Sequence, residues 1–61
     1  MNDDYDEAVD VAEAMIKYGG SFVSSLGKAL RQADHININK IKSAFPEYWK
    51  QYSDMAQKRM E

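Results

Sequence analysis

A chain of 61 residues without a single cysteine has to fold on apolar contact alone. A domain of this size buries only about 60% of the surface its unfolded form exposes. Ordering it costs roughly 1.5 kcal/mol per residue, which nearly cancels the gain from burial. With no cysteine there is no disulfide and no thiolate metal site to staple the fold. The lone histidine, His35, excludes a His-rich metal cage. What remains is close helix packing, self-association as a homodimer, or a protein partner, and no cofactor is expected. Absence of cysteine agrees with a reducing compartment. The first residues, Met1-Asn2-Asp3-Asp4-Tyr5-Asp6-Glu7, are acidic where a secretory signal is basic and then apolar. No apolar run approaches the roughly 18 residues of a membrane span. The expectation is a soluble, cytoplasmic single domain over residues 1–61 that makes no membrane contact.

The apolar spacing is helical throughout. Tyr5, Val9, Ala12 and Ile16 share one helical face, and Val11, Met15 and Tyr18 form a second stripe beside it. This predicts a first helix over Asp3 to about Tyr18, capped by Asn2, Asp3 or Asp4. Gly19-Gly20 ends it, with glycine expected in the left-handed conformation. Ser21 is the expected N-cap of a second helix to about Ala33, with Phe22, Leu26, Ala29 and Ala33 on one face and Val23 and Leu30 alongside. A connection this short predicts an antiparallel hairpin. Gly27 sits inside that helix at a cost of about 1 kcal/mol against alanine. It either admits a close neighbour or is incidental. Residues 34–37 read as a turn, with Asn37 capping a third helix to about Ala44. Pro46 pushes Phe45 out of helical geometry and opens a fourth helix to about Lys58. No segment shows the period-2 alternation of a half-buried strand. The fold expected is all-α, a compact bundle of three to four short helices. Its core should hold most of Val9, Ile16, Phe22, Leu26, Leu30, Ile41, Phe45 and Trp49.

Charge is distributed unevenly. Residues 1–14 carry Asp3, Asp4, Asp6, Glu7, Asp10 and Glu13 and no basic residue. The remainder carries eight basic residues against Asp34, Glu47, Asp54 and Glu61. Acids at a first helix's N-terminus suit its dipole. The same acids also fit an element that engages a basic surface.

Catalytic readings find little. Ser21, Ser24, Ser25, Ser43 and Ser53 lie in no nucleophile signature, and only His35 offers an imidazole base. The N-terminal acids lack the glycine turn and spacing of a calcium loop. Gly19-Gly20-Ser21 steps into a helix without a following P-loop lysine. His35 reads as an exposed or capping residue. The chain is therefore expected not to be an enzyme.

The aromatic group Phe45, Tyr48, Trp49 and Tyr52 supports two readings. Such rings form the core of a small helical domain, or they anchor a partner. Tyr48, Tyr52, Asp6, Glu7 and Asp10 are accordingly the candidate partner surface. Residues 22–45 also have helix–turn–helix spacing, with Asn39, Lys40 and Lys42 as candidate nucleic-acid contacts. That alternative, a small DNA-binding regulator, is the weaker one. The third helix has no arginine, and the protein as a whole is acidic.

The run Gly20-Ser21-Phe22-Val23, Leu26, Ala29-Leu30, Ala33-Asp34, Asn37, Lys40-Ile41 and Ala44-Phe45-Pro46-Glu47-Tyr48-Trp49, closing at Tyr52, resembles small uncharacterised helical proteins of phages, prophages and other bacterial mobile elements. The resemblance covers residues 20–52 and is most specific from Asp34 to Trp49. It implies an accessory gene of a mobile element and carries over no functional residue. The function expected is a non-enzymatic protein-interaction or accessory module.

Overall fold

The computed structural model describes residues 3–59. It contains α1 (Asp3–Tyr18), α2 (Ser21–Arg31), α3 (His35–Ala44) and α4 (Pro46–Arg59). The protein is a four-helix all-α bundle, as the apolar periodicity predicts.

The α1–α2 hairpin is set by two glycines, for a reason other than the one expected. None of the described residues, glycine included, has a positive φ. The left-handed glycine cap is therefore not used, and the missing Cβ is what matters. A Cβ at Gly27 would lie 2.8 Å from the Ala12 carbonyl oxygen and 2.8 Å from Met15 Cβ. One at Gly19 would lie 2.5 Å from Val23 Cγ1 and 2.6 Å from the Met15 carbonyl oxygen. Gly27 opposite Ala12 and Val23 beside Gly19 also fix the antiparallel register.

Two caps differ from expectation. The N-cap of α2 is Gly20, with extended backbone and no side-chain cap bond, and Ser21 is the first helical residue. The N-cap of α3 is Asp34 and not Asn37. Its Oδ1 accepts from the Asn37 backbone N–H at 2.9 Å. An acid caps as well as an asparagine, and choosing Asp34 lengthens α3 by a full turn. The expected four-residue turn thus shrinks to residues 32–34. There Gln32 and Ala33 donate to the Ala29 and Leu30 carbonyls, both at 3.1 Å, which tightens the end of α2. Phe45 breaks the chain as Pro46 requires, and the Trp49 backbone N–H donates back to the Phe45 carbonyl at 3.0 Å. Of the caps expected for α1, Asn2 lies outside the described residues, as do the side chains of Asp3 and Asp4.

The acidic helix α1 packs on the bundle and does not project from it. It touches α2, α3 and α4 and buries Ala8, Val11, Ala12, Ala14 and Met15. The inward stripe is thus Val11 and Met15 with the alanines, while Val9 and Ile16 are only half-buried. Small side chains let neighbours approach closely, and Ala12 and Ala14 are as fully buried as Val11 and Met15. Leu30 and Trp49 are core residues as expected, and Val23, Ile38, Tyr52 and Ala56 complete the core. Leu26 and Ile41 pack against it half-buried. Phe22 is a correction: it is 58% exposed. Helix α2 turns Val23, Gly27 and Leu30 inward instead.

Candidate functional site

The aromatic residues divide into a sealed group and an open one. The sealed group centres on Glu7. Trp49 is buried, and its indole Nε1–H donates to Glu7 Oε2 at 3.2 Å. Ser53 Oγ–H donates to the same oxygen at 3.4 Å. Lys42 Nζ lies 3.8 Å from Glu7 Oε1 and 5.3 Å from the Trp49 ring centroid. One carboxylate therefore ties α1 to α3 and α4. It gives a buried indole the acceptor it needs. The Lys42 pair is partly exposed and contributes less than about 1 kcal/mol; the ammonium also lies within cation–π range of the indole.

The open group sits where the start of α2 meets the α3–α4 corner. The Phe22 ring centroid is 6.0 Å from that of Phe45 and 6.3 Å from that of Tyr48, and Phe45 and Tyr48 stack at 6.0 Å. No Cα of α2 comes within 8 Å of one of α4, so here only side chains span the gap. Phe45 and Tyr48 are half-buried, and with Ala44, Pro46 and Glu47 they line a shallow cleft. Fully burying a phenylalanine contributes about 1.5–3 kcal/mol. Phe22, more than half exposed, forgoes much of that.

The residues expected to form a partner surface do not come together as one. Tyr48 belongs to the open group. Tyr52 is 6% exposed and lies in the core, so it is withdrawn as a surface anchor. Glu7 is occupied by Trp49, Ser53 and Lys42. Asp10 is half-buried and lines a small pocket with Glu7, Val11, Ser53, Ala56 and Gln57. Only Asp6 is a plainly exposed acid of that set. Of the candidate nucleic-acid contacts, Asn39 and Lys40 are exposed, but Lys42 is engaged by Glu7 and Trp49. Among the described residues Lys40 is thus the single lysine of α3 outside an ion pair or ring contact.

The surface residue that the sequence placed in the core is Phe22, while Phe45, expected in the core or at a partner surface, is half-buried at the rim. Only the rotation of α2 in the bundle reveals the exposed Phe22. His35 opens α3, and its ring stacks on Tyr5 at 5.7 Å, beside the exposed Ile36. Among the described residues no His, Cys, Asp or Glu side chains gather as a metal site, and no helix is long and apolar enough to cross a membrane. No family model, curated protein or solved structure matches the chain.

Proposed function

We propose that this protein is a non-enzymatic protein-interaction module of the cytoplasm, an accessory product of a phage or mobile element, and that it binds through the open aromatic group. The observation that carries the reading is Phe22, a large ring left 58% exposed beside Phe45 and Tyr48. Aromatic anchors clustered at the centre of a surface are the usual source of interface energy. The lone acidic face of α1 is the lesser candidate, because Glu7 is consumed inside the fold.

Photo-crosslinking tests the reading. A benzophenone amino acid placed at position 22 should form a covalent protein adduct in cells. The same group at position 13, exposed on α1, should form little. No adduct at position 22 above the level at position 13 overturns the proposal.

The α2–turn–α3 arrangement, with Asn39 and Lys40 exposed, keeps the DNA-regulator reading as runner-up. Anisotropy of labelled duplex DNA at low and moderate salt tests it. Phosphate contacts would appear as low-salt binding that falls steeply with salt. Absence of low-salt binding removes it.

A further inference from the structure

Helix α2 has two apolar stripes, and the bundle fully buries only one. Val23, Gly27 and Leu30 are buried, against α1 where Val23 and Gly27 meet it. Phe22, Leu26 and Ala29 form the other, with Ala33 just past the helix end; Phe22 and Ala29 are exposed, while Leu26 and Ala33 are half-buried against the core. The two ends of this second stripe differ. Phe22, with Phe45 and Tyr48, makes one end bulky and aromatic. Ala29, with Ala33 just beyond the helix, makes the other end small.

We infer that the occupant of this stripe is a second copy of the chain, seated with the two α2 helices antiparallel across a two-fold axis. The inference rests on the reading of the aromatic group as a protein interface and names its partner. A two-fold interface is isologous, so each residue meets its complement twice. Antiparallel pairing sets the rings of one copy over the alanines of the other. Parallel pairing would crowd ring on ring and leave a void between alanines, against the close packing that interfaces require.

Charge agrees with the same arrangement. Glu47 stands at the aromatic end, on the lining of the Phe45–Tyr48 cleft. Lys28 stands in the last turn of α2, at the alanine end. Neither residue is in an ion pair among the described residues. The two-fold brings Glu47 toward the partner's Lys28 on both sides of the axis.

Area sets the strength. A standard interface buries about 800 Å² per partner, against a total surface of 4272 Å² here. A stripe one helix wide and about 10 Å long from Phe22 to Ala29, at 1.5 Å per residue, is smaller than that. The dimer is therefore weak and half-dissociated between micromolar and millimolar concentrations.

Sedimentation equilibrium of the full chain over that range tests the inference. The mean mass should rise from 7.0 kDa toward twice that value. Ala29→Glu and Phe22→Ser should each weaken association about tenfold or more, with helical content by circular dichroism unchanged. Lys28→Glu should weaken it several-fold, and adding Glu47→Lys to the same chain should restore it. A mass of 7.0 kDa up to millimolar concentration overturns the inference. So does a dimer that Ala29→Glu and Phe22→Ser leave intact. If the chain stays monomeric while position 22 crosslinks to a different protein, the second copy is excluded and the interface stands. If the chain stays monomeric and no adduct forms at position 22, both fall.

Discussion

Trp49 and Phe22 are both large rings near the α4 end of this bundle, yet one is 5% exposed and the other 58%. Trp49 carries a polar N–H and would be costly to bury alone. Glu7 reaches from α1 to accept its hydrogen bond, and the indole goes inside. Phe22 has no polar atom to satisfy and would bury without penalty, but the helix bearing it faces another way. Gly27 draws α2 onto Ala12 and Met15, and that contact turns Val23 and Leu30 inward with it. The comparison separates what makes a side chain fit for burial from what brings a neighbour to cover it.

The largest effect should come from the sealed ring itself. Trp49→Ala is expected to cost about 3–5 kcal/mol, which urea denaturation would show as loss of most or all of the folded baseline. A small loss would mean the sealed side is no tighter than the open one. Next, Gly27→Ala tests what orients α2. Helix propensity alone favours alanine by about 1 kcal/mol. Crowding against a carbonyl oxygen and Met15 Cβ costs about 1–3 kcal/mol. A thermal melt should therefore show net destabilisation or no gain. A clear rise in the melting temperature would contradict the close α1–α2 approach.

Glu7→Ala removes the acceptor of the Trp49 N–H and should cost about 1–3 kcal/mol, with a shift in tryptophan fluorescence as water reaches the indole. Glu7→Gln keeps an oxygen acceptor and should lose less; equal losses would assign the effect to charge. The smallest expected effect belongs to the open ring. Phe22→Ser should change stability by no more than about 0.5 kcal/mol, as for a surface site. A loss comparable to that of Trp49→Ala would place Phe22 in the core and end the comparison.

Much of the fold was legible in the residues. Gly19-Gly20 and Pro46 marked two of the three breaks. Capping chemistry was harder to place, because Asp34 and Asn37 are both good N-caps and sit three residues apart. Asp34 won by catching the Asn37 N–H. The aromatic group was visible as a group but not as two. Tyr48 and Tyr52 share a helical face one turn apart, yet Tyr52 sits in the core and Tyr48 at its rim. Glu7 was read as a surface acid, since nothing local ties it to a residue 42 positions away.

The sequence by itself determined that this chain is helical, where its helices begin and end to within a turn, and that no disulfide holds them. Those features depend on contacts within a few residues: apolar spacing, glycine, proline and caps. Only the tertiary structure decided which of two apolar stripes on α1 and on α2 faces inward. An amphipathic helix records that it has a face to bury, while the rotation that buries it depends on how closely each neighbour can approach. In this bundle that rotation sealed Trp49 behind Glu7 and left Phe22 outside.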